Sequence, residues 1–245
     1  MKKAQQADYE EFHKNTSPSY KIIDKANFTY KIILKTFDKY IDKNEKILDI
    51  GCGAGSLAFY YASKGNKVVG IDISGSAIES AKKSAKLLKL KNIEFEVMNF
   101  PTQALREKFD RVICSEVIEH LEDDTLALDK IYKLLKPHGK AIITTPSKNA
   151  PLHRLGYAKN FDIRVGHLRR YTMEELVKKS KKAGFKIIET KKTEGVVRNF
   201  LYLSPIAGKF IRFIKYFLVD VVLEVDLLSM KLFGESDLII VLEKP

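Results

Sequence analysis

The chain has 245 residues, 45% of them apolar, enough to bury a full core as one large domain or as one domain with a cap. Two isolated cysteines, Cys52 and Cys114, exclude a disulfide framework, and no His/Cys/Asp spacing matches a metal-ligand pattern, so no metal is expected. The formal charge of +12 is uneven: between Lys148 and Arg198 stand 14 Lys/Arg against 5 Asp/Glu, either a solvated basic face or a surface that attracts an anionic partner.

The opening "MKKAQQADYEEF" lacks an apolar stretch of the signal-peptide kind, and no apolar run is long enough to span a bilayer. A cytoplasmic location is expected. Residues 1–45 read as an N-terminal helical arm, with Ile22, Ile23, Ala26, Tyr30, Ile33, Leu34 and Phe37 spaced for one helix face. From residue 46 the pattern alternates. "KILDI" reads as a strand, "SLAFYYASKG" as a helix stopped by Gly65, and "NKVVGIDIS" as a second strand. Ser74 caps a helix over "SAIESAKKSAKLLKL"; "NIEFEVM" and "FDRVICSE" are the third and fourth strands. "DDTLALDKIYKLL" is a helix ended by Pro137, and "GKAIITTP" a fifth strand. Short apolar strands separated by helices argue for βαβ units and a parallel sheet.

After Pro146 the rhythm breaks into a polar loop over 147–171, without clear period and long enough to suggest function. "TMEELVKKSKKAGF" follows, a helix with a capping box at Thr172 and Glu175 and a stop at Gly184. "FKIIETKKT" and "SDLIIVLEK" are the sixth and seventh strands, and between them lies an apolar helical insertion at about 201–233. The 46–245 segment is thus a single domain carrying that insertion.

The stretch "ILDIGCGAG" delivers Gly51, Gly53 and Gly55 from a strand to a helix start, which suits a nucleotide-type ligand. A dinucleotide fingerprint needs its third glycine at position 56, where Ser56 stands. Asp72 closes the second strand, 17 residues beyond Gly55, where a carboxylate accepts from ribose hydroxyls. Asp49, the three glycines and Asp72 together are far more specific than the glycines alone.

These residues resemble the class I S-adenosylmethionine (SAM)-dependent methyltransferases over about Glu45–Pro146. "ILDIGCGAG" is similar to the family's first motif, "VVGIDIS" to its second, and "LLKPHGKAIITTPS" to its fifth-strand motif, with His138 departing in the turn. "FDRVICSEVIEHLED" resembles the fourth-strand region, and its Glu119-His120-Leu121 the type 11, ubiquinone-biosynthesis-like branch. The resemblance implies a seven-stranded doubly wound Rossmann-like α/β sheet of order 3-2-1-4-5-7-6, the seventh strand antiparallel, with helices on both faces. It implies SAM as cofactor and S-adenosylhomocysteine as product. Asp49 and the loop Gly51, Cys52, Gly53 and Gly55 would hold the methionyl end, and Asp72 the ribose. Ile73, Asn99 and Phe100 would surround the adenine, with Asn99 where many relatives carry an acid. Ser115 and Glu116 would line the sulfonium end.

Methyl transfer from a sulfonium needs the acceptor aligned and, for a hydroxyl, a proton removed. His167, in "GHLRRYT", is the first candidate for the base and His120 the second; Arg169, Arg170 and Tyr171 are candidate acceptor-binding residues, the arginines for a carboxylate or phosphate. A backbone-bonded His120 and a structural latch at 167–171 are the competing readings. The run "SEVIEH" lacks the Pro-Pro signature of amino-methylating DNA enzymes, and Cys114 lacks the proline of cytosine-C5 enzymes. The expected activity is methylation, most plausibly at oxygen, of a small-molecule or lipid- or glycan-linked acceptor, with no nucleic-acid partner. RNA or protein methylation through the basic tract, and non-catalytic SAM binding, are the alternatives. The 201–233 insertion either roofs the site or makes peripheral membrane contact. The sequence leaves the oligomeric state open.

Overall fold

A computed structural model of the chain describes residues 21–25, 27–103, 105–204 and 219–245. Seven strands form one sheet: β1 Lys46–Ile50, β2 Lys67–Asp72, β3 Ile93–Val97, β4 Phe109–Ser115, β5 Leu135–Pro146, β6 Lys186–Thr193 and β7 Asp237–Glu243. Their order is β3-β2-β1-β4-β5-β7-β6, and β7 runs antiparallel to both β5 and β6, as the motif resemblance implied.

Nine described helices surround it. They are α1 Lys31–Phe37, α2 Ser56–Ser63, α3 Gly75–Leu87, α4 Asp124–Leu134, α5 Pro151–Arg154, α6 Lys159–Val165, α7 Met173–Lys182, α8 Val196–Leu203 and α9 Val219–Phe233. Successive residues of a strand face opposite sides of a sheet, so β1 feeds two cores. Ile47 packs with Leu34, Phe37, Ala58, Phe59 and Ile78 from α1, α2 and α3. Leu48 and Ile50 pack with Leu128, Ile131 and Leu176 from α4 and α7. Both sheet faces are therefore covered, which is why these strands read as continuous apolar runs.

Capping signals hold. Ser74 Oγ accepts from Ala77 N–H at 3.1 Å, and the Thr172–Glu175 box closes in both directions at 2.9 and 3.2 Å. Gly65 and Gly184 end their helices at φ +98° and +94°.

Elsewhere boundaries move. In the arm, the described helix is only Lys31–Phe37; Ile22 and Ile23 lie outside it and pack on the core from irregular backbone. Residues 1–20 and Ala26 lie outside the described residues. α4 stops at Leu134 because β5 begins earlier than its apolar run, Leu135 pairing with Phe109 before the register shifts. The expected loop at 147–171 holds two short helices, α5 and α6, the first opened by Pro151. The insertion begins at Val196, ahead of the expected Leu201, and residues 205–218 lie outside the described residues.

Candidate active site

β1 hands the chain to the glycine loop at the C-terminal edge of the sheet, where open α/β sheets bind ligands. Gly51, Gly53 and Gly55 all have left-handed backbones, φ +67°, +51° and +92°. At Gly51 the demand is double, because a Cβ would lie 2.3 Å from Val117 Cγ2. Gly51 and Cys52 donate their N–H groups to Ile71 O at 2.8 and 3.0 Å. Gly53 N–H donates to Asp72 Oδ2 at 2.9 Å, and Ser74 N–H to Asp72 Oδ1 at 2.9 Å. Asp72 thus shapes the loop, and each of its oxygens keeps a lone pair for a hydroxyl.

A cleft of about 510 Å³ opens here, within the range of roughly 300–1,000 Å³ that holds drug-sized ligands. Of the residues expected to bind a cofactor, Asp49, Gly51, Cys52, Gly53, Asp72, Ile73, Phe100, Ser115 and Glu116 line it. Gly55 and Asn99 do not. Gly55 instead opens α2, where a Cβ would meet Phe59 at 2.7 Å. The Asn99 side-chain oxygen is buried without a partner in the described structure.

Asp49 is the informative residue on this side. It is 3% exposed, and its Oδ2 has no hydrogen-bond partner. Burial first, then the Asp72 charge, raises its carboxyl to about 7, with the Ala58 N–H opposing. A buried carboxylate oxygen with no donor is costly, and Asp49 lines the cleft, so a cationic ligand group there could complete it. Cys52 is no nucleophile, because burial and the nearby Asp49 and Asp72 push its thiol well up.

The opposite end of the cleft is built from side chains. Glu116 follows β4 in a left-handed conformation, φ +56°, a position that sterics disfavour for a side chain of this size. Thr144 Oγ1 donates to Glu116 Oε1 at 2.6 Å and stands 2.9 Å from Ser115 Oγ. Glu116 is ringed by protein yet exposed to solvent through the cleft. Burial and Glu194 raise its carboxyl to about 7, against Thr144 and Arg170.

Behind it lie the histidines. His120 lines the cleft, whereas His167, the first candidate for the base, does not. The two rings stack edge to face with centroids 4.7 Å apart. His120 Nδ1 is 3.0 Å from Gly166 O, and His167 Nδ1 is 2.9 Å from Asp162 Oδ1. Each ring is thereby oriented with Nε2 3.9 Å from Glu119 Oε1. That oxygen is fully buried and unpartnered, while Glu119 Oε2 accepts from Thr145 Oγ1 at 3.1 Å. Burial, with help from the His167 charge, lowers His120 to about 4, so it is neutral at pH 7. Burial and Glu116 raise Glu119 well above the carboxylate range.

Glu119, His120 and His167 offer three donor atoms within 4.8 Å of one another. The spacing rule that suggested no metal does not carry over to space, because the third donor arrives from a distant loop. The second ring nitrogens are held by a carbonyl and a carboxylate, the arrangement that orients imidazole ligands. The set can hold a divalent cation or move a proton.

Arg169, Arg170 and Tyr171 are committed internally. Arg169 donates to Leu121 O and Glu122 O at 2.6 and 3.0 Å. Arg170 grips Asp162 through two bonds, at 2.9 and 2.6 Å. Tyr171, 2% exposed, donates to Asp124 Oδ2 at 2.7 Å. These bonds fit the latch that was the competing reading, and none of the three residues lines the cleft. Through Asp162, Arg170 also fixes the ring of His167.

The N-terminal arm was expected to cover the acceptor site, but its individual residues there were not named as site residues. Thr29, Tyr30 and Ile33 form a wall of the cleft from the arm. They are held by Arg198, fully buried, whose guanidinium donates to Phe28 O at 2.8 Å, Thr29 O at 3.3 Å and Glu194 Oε1 at 2.8 Å. Its Cζ lies 4.6 Å from the Phe28 ring centre. Asp226, from α9, accepts from Gly195 N–H and Arg198 N–H at 2.8 Å each and so caps α8. The one signal in sequence was a lone arginine in the apolar run "GVVRNF".

Fold, glycine loop and cleft define a Rossmann-like methyltransferase architecture. A family profile described as "Methyltransferase domain" matches residues 41–200, and the chain belongs to that family. It is 39% identical over 124 residues to a ubiquinone biosynthesis O-methyltransferase of Pelagibacter ubique, covering 51% of this chain and 51% of that one. It is 37% identical over 111 residues to the protein of that name from Nitrobacter winogradskyi, covering 45% and 42%. The chain therefore spans about half the length of the curated relatives it matches. The structure resembles a phosphoethanolamine N-methyltransferase 2 of Haemonchus contortus in complex with SAM, with TM-score 0.69 and 21% identity over 98% of this chain and 56% of that one. That last likeness shows the fold. Among the described residues no helix is long and apolar enough to cross a membrane.

Proposed function

We propose that the chain binds SAM and transfers its methyl group to a hydroxyl of a small-molecule or lipid-linked acceptor. The observation that carries the cofactor is the unpartnered, buried Asp49 Oδ2 beside a glycine loop in a cleft of nucleotide size. Asp49 would take the ammonium of the methionyl end and Asp72 the ribose hydroxyls, with the glycine loop shaping the cleft between them. Bound SAM supplies an activated methyl on a sulfonium, and the protein supplies alignment and proton transfer. The O-methyltransferase relatives favour oxygen as the accepting atom.

His120 is the residue for that proton. It lines the cleft, it is neutral at pH 7, and Gly166 fixes its ring. His167 is a positioning residue behind it, held by Asp162. An anionic acceptor gains little support, since Arg169 and Arg170 are occupied.

Calorimetric titration with SAM, S-adenosylhomocysteine and NAD tests the cofactor: the first two bind and NAD does not. Binding of NAD alone, or of none, would overturn the reading. Methyl transfer from labelled SAM to phenolic and lipid-linked hydroxyls then tests the acceptor class. Loss of activity with EDTA, restored by Mg²⁺, would reassign Glu119, His120 and His167 from proton transfer to cation binding.

A further inference from the structure

α9 is turned inside out. Its buried positions include Asp226 and Ser229, which hold the start of α8: Asp226 through Gly195 and Arg198, and Ser229 Oγ through Val196 N–H at 3.1 Å. At Gly195 the packing is so close that a Cβ would lie 2.2 Å from Ser229 Oγ. The outer face carries Val221, Val225, Leu228 and Leu232, at 57%, 49%, 57% and 68% exposure. Their spacing of four, three and four residues is that of a coiled-coil seam, a straight and narrow apolar line.

Two charges flank this seam on one side, each immediately before a seam residue: Glu224 before Val225 and Lys231 before Leu232. They stand one heptad apart, at the position from which coiled-coil charges choose partner and orientation. When two copies of α9 lie antiparallel, Val221 meets Leu232 and Val225 meets Leu228 across a twofold axis. Glu224 of each copy then faces Lys231 of the other. In a parallel pair, Glu224 would instead approach Ser229, which α8 already occupies. The pattern is complementary to itself in one orientation only, as a twofold interface demands.

From this we infer that α9 is a self-association surface, through which the chain forms an antiparallel, twofold dimer. The inference stands apart from the reading of the cleft. A bilayer surface is the other occupant an apolar stripe suggests, and charge argues against it here. Of the acids in Val219–Phe233, Asp226 is buried against α8 and Asp220 pairs with Lys31, while exposed Glu224 borders the seam directly. That edge repels anionic lipid. Because α9 is already folded and docked on α8, pairing does not have to order it, although two heptads make a short contact. A dimer of micromolar order is expected.

Sedimentation equilibrium of the full chain tests this. Wild type should dimerise, and Leu228→Asp should be monomeric with unchanged SAM affinity by calorimetry, which separates this proposal from that for the cleft. Glu224→Lys alone and Lys231→Glu alone should each weaken the dimer at least tenfold, and the double exchange E224K/K231E should restore it. A wild type that stays monomeric at roughly 100 μM would overturn the inference. So would a dimer that the double exchange fails to restore. Flotation of a monomeric wild type with phosphatidylglycerol vesicles, abolished by Leu228→Asp, would assign the seam to lipid and overturn it too.

Discussion

The two ends of the cleft are made by different means. At the cofactor end, backbone does the work: three left-handed glycines, N–H groups pinned to Ile71 O, and one carboxylate at the end of the neighbouring strand. At the acceptor end, side chains do it, and their partners come from far along the chain. His120 reaches Gly166 across 46 residues, Arg169 reaches Leu121 across 48, and Arg198 reaches Phe28 across 170. Backbone geometry tolerates few substitutions, whereas side-chain networks can be rebuilt around new acceptors. One fold can thus keep its cofactor and change its substrate.

That contrast can be broken experimentally. The largest effect is expected from His120→Ala, which should lower methyl transfer by about 10²–10⁴-fold while SAM affinity stays unchanged. Calorimetry beside a turnover assay checks it, and a parallel loss of SAM binding would mean the two ends are not separable. Gly51→Ala should do the reverse. Strain at φ +67° and the contact with Val117 should remove about 2–4 kcal/mol of SAM affinity. Asp72→Ala comes next, with about 1–3 kcal/mol of SAM affinity lost, because a charged acceptor is removed from both ligand and loop. Unchanged binding would sink the ribose assignment.

The smallest effect sharpens the comparison through pH. Asp49 titrates at about 7 in the free protein, and its ionised form is the one that receives an ammonium. SAM affinity should therefore fall as pH drops below about 7, approaching tenfold per pH unit. In Asp49→Asn the affinity should be weak and flat over the same range. A wild-type profile as flat as the variant's would remove Asp49 from the methionyl site.

The same division decides what could be read in the sequence. The strands and the cofactor loop were legible because their determinants are local: apolar runs, Ser74 and Thr172 caps, glycines at fixed spacing, an acid closing β2; the sheet order came from the family resemblance. The helices α5 and α6 were not, since each is too short for a period to emerge over 147–171. His167 was placed ahead of His120 as the candidate base for a similar reason. Both sit in turns near the right sheet edge, and only the fold shows that the first faces the cleft and the second backs it. Arg169 and Arg170 looked like an anion clamp because their partners, Asp162 and two backbone carbonyls, carry no signature in sequence. For α9 the sequence left its apolar residues either roofing the site or facing a bilayer; in the structure Asp226 and Ser229 pack inward while Val221, Val225, Leu228 and Leu232 face out.

Arg198 has a consequence in time as well as in space. The wall it holds depends on a contact spanning most of the chain, and long loops close late in folding. The β1–β2 and β2–β3 pairings join strands that are neighbours in sequence and do not use that contact. Segment 28–30 and the start of α8 are therefore expected to exchange their amide hydrogens sooner than β1, β2 and β3, which hydrogen-exchange measurement on the free protein checks.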